Sequence, residues 1–317
     1  MKIFNDQKTV IVIAGPTATG KSALALKLAE HFDTAIISAD SRQCYREMTI
    51  GTAKPSEEDL KKIRHYFINS HSITDDVNAG LFEHLSMDYV HQIFKENEVA
   101  IVCGGTGLYI EAFCEGLDEM APIPEGIRNK VRKLYLIHGI EGLHAELERK
   151  DPEFFKVAEI HNPHRLMRAL EVYEATGKSI LSFRKMEEKP RNFNIIKIGL
   201  QLPKEQLWDN IVHRTYRMIS AGLVDEVKGL IHCHRRNALQ TVGYAEIFEF
   251  LAHKCPLNEA IKNINIHTRQ YAKRQMTWFR KDAQIRWFSG NDPESYFLHY
   301  INKELANVSG TVMNAHE

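Results

Sequence analysis

The sequence predicts an α/β fold in which a parallel-sheet core is interrupted by a helical insertion and completed by C-terminal helices. In the first third of the chain, short β-branched runs alternate with helical patterns, as in βαβ units. Residues 118–185 carry helical patterns without a convincing strand, punctuated by proline. A β-branched run at 195–200 then indicates a strand that returns to the sheet. We therefore expect three segments, 1–117, 118–190 and 191–317.

Individual elements follow from the local pattern. Apolar runs predict buried strands at 10–14, 35–38 and 99–103. Amphipathic spacing predicts core helices over 22–32, 79–96, 204–221, 224–232, 244–252 and 257–281. In the insertion, one apolar stripe is formed by Ile127, Val131, Leu134 and Ile137, and another by Leu166, Leu170 and Tyr173. The tail after Asn302 is expected to fray.

Composition limits the classes of protein to consider. Basic and acidic residues number 41 each, so any basic surface for a nucleic acid must be local. The five cysteines are odd in number and lack C-x-x-C spacing, which is more typical of reduced thiols in a cytosolic protein than of disulfides or zinc. The first apolar run, 10–14, is too short for a signal peptide or a membrane span. We expect a cytoplasmic monomer without a membrane partner.

A phosphate-binding motif lies directly between the first predicted strand and the first predicted helix. The pattern G-x-x-x-x-G-K-[ST] is matched by Gly15, Pro16, Thr17, Ala18, Thr19, Gly20, Lys21 and Ser22. In this setting, backbone N–H groups and a helix N-terminus hold phosphate oxygens. Lys21 adds positive charge, and the Ser22 hydroxyl is a candidate ligand for the cofactor Mg²⁺. The context predicts a P-loop NTPase-like parallel-sheet core.

The position of the nearest carboxylate is unusual for a P-loop NTPase. Such enzymes hold Mg²⁺ partly with an Asp at the end of another strand, but the strand at 99–103 continues into Gly104 and Gly105. The carboxylate instead follows the second strand, at Asp40. At the carboxyl end of a parallel sheet it is expected to face the cleft above the phosphate loop, where it suits an acceptor-side base. A helix cap or a second-shell metal ligand is the alternative.

Several motifs in order resemble one known family. They are ISADSRQCY at 37–45, IGTAKP at 50–55, GGTGLY at 104–109, NPHRLMRALEV at 162–172 and KRQMTWFR at 273–280. The chain resembles the tRNA dimethylallyltransferases, or IPP transferases, from about residue 10 to about residue 290. The resemblance implies dimethylallyl transfer from dimethylallyl diphosphate to N6 of the tRNA adenosine immediately 3′ of the anticodon, position 37. The products are N6-isopentenyladenosine and diphosphate.

The resemblance also implies roles for individual residues. Asp40 would take the proton from N6, a poor nucleophile that needs a base. Thr106 would approach the reacting end of the donor, and Arg214 would bind the diphosphate, with Arg217 as a competing candidate one turn away. Charge developing on the leaving diphosphate would be stabilised by the phosphate loop, Lys21 and Mg²⁺.

Contacts with the tRNA anticodon stem-loop are implied as well, around a base pulled out of its stack. The implied residues are Asp40, Ser41, Arg42, Gln43, Arg128, His164, Arg165, Leu166, Met167, Arg168, Thr241, Gly243, Tyr244, Lys273, Arg274, Gln275, Trp278 and Arg280. Cationic and aromatic residues interleave over 268–281, which suits backbone contact plus stacking. An amphipathic helix with its aromatics inward is the alternative there, and solvated helix faces are the alternative for Arg128 and Arg214.

Two departures from the family pattern and three other functions are also considered. Gly107 stands where many relatives have Met, which suggests a slightly wider donor channel, and Gln240-Thr241 replaces an expected Arg-Cys. No zinc is expected. The alternatives are prenylation of free AMP, ADP or ATP, a P-loop kinase of small metabolites, and a non-catalytic tRNA-binding protein. The insertion argues against free nucleotides as acceptors. The missing strand-end carboxylate argues against a kinase. The intact Lys21, Ser22 and Asp40 argue against a non-catalytic protein.

Overall fold

The protein divides into two compact units in a computed structural model that describes residues 8–313 except 119, 121 and 185–188. The first unit comprises Met1–Glu115 and Pro190–Glu317, and the second comprises Gly116–Lys189. The second unit covers nearly the same residues as the predicted insertion. Across the described residues, no helix combines the length and the apolar character needed to cross a membrane.

A six-stranded, all-parallel sheet forms the centre of the first unit and confirms the predicted α/β class. Its strands are β1 (Thr9–Ala14), β2 (Ile36–Ser38), β3 (His65–Tyr66), β4 (Val99–Cys103), β5 (Asn194–Gln201) and β6 (Arg286–Ser289). Their order across the sheet is β3-β2-β4-β1-β5-β6. The central strand β1 is buried along its length, as its unbroken apolar run predicts. The two edge strands, β3 and β6, were not predicted.

Helices cover the sheet of the first unit. They are α1 (Lys21–His31), α2 (Glu57–Lys62), α3 (Ala79–Ile93) and α4 (Gly107–Glu115), and, after the second unit, α8 (Lys204–Ser220), α9 (Leu223–Gly229), α10 (Tyr244–Leu251), α11 (Leu257–Phe279) and α12 (Glu294–Met313). Leu28 of α1 packs with Ile11 and Ile198 of the sheet in one core cluster. Phe297 and Ile301 of α12 join that cluster. Beyond them Leu305 packs against the same cluster and the helix continues to Met313, so residues 303–313 are helical where fraying was expected.

The described residues of the second unit form helices joined by loops and contain no strand. It contains α5 (Glu125–Lys150), α6 (Pro152–Val157) and α7 (Pro163–Thr176), followed by a 3₁₀ turn at Ile180–Phe183. Val131, Leu143, Leu147 and Leu170 are among the residues of its core. Ile137 is 61% exposed, so the predicted apolar stripe of α5 ends before it. The helix is interrupted nearby at Gly139, whose φ of 63° lies outside the helical region.

Candidate active site at the phosphate loop

The phosphate loop connects β1 to α1 through a tight backbone path. Gly15 has a φ of 140°, and a Cβ there would lie 2.5 Å from the Leu200 carbonyl oxygen of β5. Ala18 also adopts a positive φ, 64°. Gly20 caps α1 with a φ of 92° and supplies no side-chain hydrogen bond to the first turn. The N-terminal amides of α1 are therefore not capped by a side chain, which is the arrangement that binds phosphate oxygens.

Lys21 opens α1 and folds back over the loop. Its Nζ donates a hydrogen bond to the Pro16 carbonyl oxygen at 2.6 Å. Burial lowers the pKa of the ammonium to about 8; the nearby Cys103 and Asp40 act to raise that pKa, and Arg214 acts to lower it. Lys21, Asp40 and Arg214 therefore share one electrostatic environment at the carboxyl end of the sheet. A bound anion would favour the charged form of Lys21.

Helix α8 contacts the phosphate loop through two side chains. Arg214 donates from Nη1 to Thr17 Oγ1 at 2.9 Å, and Asn210, one turn earlier, donates from Nδ2 to the Ala18 carbonyl oxygen at 3.1 Å. Burial lowers the pKa of the Arg214 guanidinium, and the Asp40 charge opposes that shift. Arg217 is exposed. Of the two candidate arginines, Arg214 is the one that contacts the phosphate loop, and Asn210 is a contact that the sequence did not reveal.

Asp40 follows β2 and closes a turn with one of its two oxygens. Oδ1 accepts hydrogen bonds from the backbone N–H groups of Arg42, at 2.8 Å, and Gln43, at 3.3 Å. Among the described residues, none donates a hydrogen bond to Oδ2. No helix begins at this turn, so the helix-cap alternative for Asp40 is wrong, and Oδ1 closes the turn instead. The turn leaves Oδ2 as the atom that can accept a proton from a substrate.

The end of β4 meets the Asp40 turn. A Cβ on Gly104 would lie 2.1 Å from the Ala39 carbonyl oxygen, so only glycine permits this approach. Thr106 Oγ1 accepts a hydrogen bond from the Ser41 N–H at 3.0 Å. Thr106 and Asp40 thus lie on adjoining loops.

Two side chains of α11 reach inward to the same loops. Gln275 is only 7% exposed; its Oε1 accepts from Thr17 N at 2.9 Å and its Nε2 donates to the Gly105 carbonyl oxygen at 2.8 Å. Tyr271, one turn earlier, is hydrogen-bonded to Thr106; burial raises its pKa to about 12, and the Asp40 charge adds to the shift. Gln275 was predicted to contact tRNA, but both ends of its amide bind backbone. Tyr271 was predicted only as part of the cationic and aromatic segment.

The outer face of α11 carries the cations. Lys273, Arg274 and Arg280 are exposed, while Phe279 is buried. Trp278 is partly buried against Gly107, where a Cβ would lie 2.4 Å from the indole Cδ1. The glycine thus makes room for the indole, which fills the space beside it, and the wider donor channel stays a prediction. The aromatics pack inward, as the alternative predicts, and the cations face out, where the predicted RNA contacts require them.

Two further predicted RNA contacts, Gly243 and Tyr244, are buried in the first unit. Tyr244 has no exposed surface and donates from its hydroxyl to Glu226 Oε1 at 2.6 Å. The Gly243 N–H donates to Glu246 Oε2 at 2.7 Å. These two residues shape the turn instead of facing solvent, which corrects the prediction. Thr241 is partly exposed.

The side chain of Gln43, between the Asp40 turn and the following loop, is also held by hydrogen bonds within the protein. Its Nε2 donates to the carbonyl oxygens of Thr52 and Ala53, both at 3.2 Å, and its Oε1 accepts from Ser38 Oγ at 3.1 Å. Arg42 and Ser41 are partly exposed beside it. Gln43 therefore holds backbone, and its neighbours are better placed to meet a ligand.

In the second unit, the predicted RNA contacts separate into surface and core. His164 and Arg165 are exposed, and Arg128, Met167 and Arg168 are partly exposed. Arg165 pairs with Glu159 at 2.8 Å. Leu166 is 0% exposed and belongs to the core of the unit, so its prediction as an RNA contact is wrong.

The donor set available for Mg²⁺ is small. Ser22 presents an exposed hydroxyl in the first turn of α1. The described residues contain no group of three or more His, Cys, Asp or Glu side chains that could hold a metal. Mg²⁺ commonly keeps several waters and binds through substrate phosphates and few protein ligands. A single hydroxyl beside the phosphate loop therefore fits an ion that arrives with the diphosphate.

The chain is similar to proteins of one family over most of its length. A family model described as IPP transferase matches residues 43–282. A tRNA dimethylallyltransferase of Cytophaga hutchinsonii is 44% identical over 281 residues, covering 89% of this chain and 92% of the relative. Another from Bacteroides thetaiotaomicron is 41% identical over 293 residues, covering 92% and 95%.

Solved structures agree with these sequence matches. A full-length tRNA isopentenylpyrophosphate transferase from Bacillus halodurans superposes with a TM-score of 0.71 at 29% identity, covering 98% of this chain and all of that one. A eukaryotic dimethylallyltransferase acting on tRNA, at 24% identity and a TM-score of 0.75, shares the fold over 97% of this chain and 80% of its own. By its sequence, this chain belongs to the IPP transferase family.

Proposed function

We propose that this protein transfers a dimethylallyl group from dimethylallyl diphosphate to N6 of the adenosine immediately 3′ of the anticodon of tRNA, position 37. The products are N6-isopentenyladenosine and diphosphate. One observation carries the proposal: the Asp40 turn, hydrogen-bonded to Thr106 through Ser41 N, shares one electrostatic environment with the phosphate-loop Lys21 and Arg214. An anion-binding loop and a base therefore adjoin. The relatives named tRNA dimethylallyltransferase support the choice of donor and acceptor.

The acceptor side needs a base because the N6 lone pair is delocalised into the adenine ring. As N6 attacks the allylic carbon, Asp40 Oδ2 accepts the proton while Oδ1 stays fixed by Arg42 N and Gln43 N. Oδ1 thus positions the carboxylate, and Oδ2 accepts the proton. Thr106 lies between this turn and Tyr271, which keeps its hydroxyl close to the reacting atoms.

The donor side stabilises negative charge on the departing diphosphate. The α1 amides, Lys21 and Arg214 are arranged before the substrate arrives, so little reorganisation is needed at the transition state. Mg²⁺, when bound, supplies further positive charge to the diphosphate, with Ser22 as its protein ligand. Partial burial of Lys21 strengthens its interaction with the leaving group.

The tRNA is held through its phosphates by exposed cations on each unit. On α11 these are Lys273, Arg274 and Arg280; on the second unit they include Arg165. Such contacts position the backbone without reading its sequence. We further propose that the protein works as a cytoplasmic monomer.

Asp40 provides the decisive test. Asp40→Ala should lower turnover with tRNA by about 10²–10⁴ while diphosphate affinity changes little. Asp40→Asn is the matched variant, because it keeps the Oδ1 acceptor of the turn but cannot take a proton. It should be as slow as Asp40→Ala and as stable as the parent.

Parent-like turnover of Asp40→Asn would show that the residue only caps the turn, and the proposal would fail. The acceptor is tested by offering tRNA and free AMP side by side. Prenylation of AMP alone would assign the protein to free nucleotides, and stoichiometric ADP release from ATP would indicate a kinase.

A further inference from the structure

A carboxylate outside the proposed catalytic set accepts hydrogen bonds from three consecutive backbone N–H groups of one loop. Glu226 of α9 accepts from Thr49 N at 3.0 Å and Ile50 N at 2.7 Å through Oε2, and from Gly51 N at 3.0 Å through Oε1. We call Glu226 and these three amides the loop clasp. Bonds from N–H groups to an ionised carboxylate are about twice as strong as neutral ones. The clasp therefore fixes the backbone of 49–51 from a helix that is distant in sequence.

Tyr244 also contacts the loop clasp. Its hydroxyl donates to Glu226 Oε1 at 2.6 Å, and its ring lies where a Cβ on Gly51 would be, 2.4 Å from Cε2. Tyr244 is fully buried, so the contact cannot be exchanged for solvent without opening the fold. Both Glu226 oxygens are thus occupied by hydrogen bonds.

The clasped loop leads to Asp40 through one side chain. Directly after Gly51, the carbonyl oxygens of Thr52 and Ala53 accept from Gln43 Nε2. The backbone N–H of Gln43 donates to Asp40 Oδ1. Ala53 has a φ of 48°, a conformation that persists only where its surroundings hold it. An unbroken chain of hydrogen bonds and covalent bonds therefore connects Glu226 to the Asp40 turn.

We propose that Glu226 is a positioning residue for the transfer reaction, which holds loop 49–53 and, through Gln43, keeps Asp40 Oδ2 directed at the acceptor. The inference rests on the role proposed above for Asp40. Glu226 touches neither the phosphate loop nor Lys21 in the contacts of the described residues. Its loss should therefore act on the chemical step with tRNA and leave the diphosphate site as it is.

The experiment compares four variants of the full chain in tRNA turnover and in binding of inorganic diphosphate. Glu226→Ala should lower kcat by about 10–100-fold, the range that displacement of a reacting group by about 1 Å can cause, with diphosphate affinity within about twofold of the parent. Glu226→Gln keeps one acceptor oxygen and should lose less. Tyr244→Phe keeps all three amide bonds and should lose least. The neighbouring Asp225 is exposed, so Asp225→Asn should match the parent.

Three results would overturn the inference. Turnover of Glu226→Ala equal to that of Asp225→Asn would show that the clasp does not position Asp40. Diphosphate binding capacity lost in proportion to turnover would show that the clasp only keeps the protein folded. If Glu226→Ala does not fold, Glu226→Gln and Tyr244→Phe decide, and parent-like kcat in both refutes the inference. Parent-like Asp40→Asn refutes the role of Asp40 itself, which separates that failure from a failure of the clasp.

Discussion

The two hydrogen bonds of Gln275 allow a prediction about stability that can be worked out from the structure. Gln275→Leu keeps a side chain of similar size on α11 but removes the acceptor for Thr17 N and the donor to the Gly105 carbonyl oxygen. Lys273→Gln, two positions away on the exposed side of the same helix, is the matched control.

The expected loss of stability depends on whether water can reach each group that Gln275 no longer binds. The bond to Gly105 O is buried, so its oxygen would remain unsatisfied at about 1–3 kcal/mol. The bond to Thr17 N is partly buried, and water can replace it at about 0.5–1.5 kcal/mol. Together the free energy of unfolding should fall by about 1.5–4.5 kcal/mol, against about 0.5 kcal/mol or less for Lys273→Gln.

Urea denaturation followed by tryptophan fluorescence measures the change in the free energy of unfolding of the first unit. The three tryptophans, Trp208, Trp278 and Trp287, all lie in the first unit, so the signal reports on the unit that contains Gln275. The folded Gln275→Leu protein should bind tRNA like the parent. Parent-like stability with tRNA affinity reduced as in Lys273→Gln would refute the reasoning and return Gln275 to the RNA surface.

Two other predictions concern the donor loop and the RNA surface. Because burial holds the pKa of Lys21 at about 8, its charged form is lost as pH rises. Diphosphate affinity should therefore fall above pH 8, by at most about tenfold per pH unit. Lys21→Arg stays charged, so its diphosphate affinity should lack this fall. Because diphosphate titrates equally in both experiments, the variant controls for that effect. Equal pH profiles for the parent and Lys21→Arg would contradict the assignment of the fall to Lys21. Replacing Lys273, Arg274 and Arg280 together with Gln should flatten the slope of log tRNA affinity against log salt by about 2, from about 0.7 per contact. Diphosphate binding should not change, and an unaltered slope in a folded variant would assign the RNA contacts to the second unit.

The part of the fold that sequence could predict is the part whose burial is complete. Strands β1 and β4 are buried along their whole length, and β5 over most of it, so their β-branched runs stand out. The edge strands β3 and β6 lack that signature. The first has two residues, and the second is partly exposed and follows α11 closely, so neither has a distinct pattern.

The candidate site divides in a similar way. The phosphate loop is contiguous and carries its own motif. Asp40 could be inferred from its place after the second strand, whereas the role of Arg214 came from the resemblance. A motif does not separate a residue that meets substrate from one that keeps the motif in shape, which is why Gln275 and Tyr244 were assigned to RNA. Asn210 could not be inferred, because it contacts a loop far from it in sequence.

The position of β5 also determines when the phosphate loop can be completed during synthesis. Ala14 pairs with Gly199, and the Leu200 carbonyl oxygen forms the wall against Gly15. The whole second unit lies between these two halves of the contact. At about 5–20 residues per second, the ribosome makes the intervening chain in about 10–40 s. A nascent chain that ends within the second unit therefore carries the entire phosphate-binding motif but not the strand that gives it its shape.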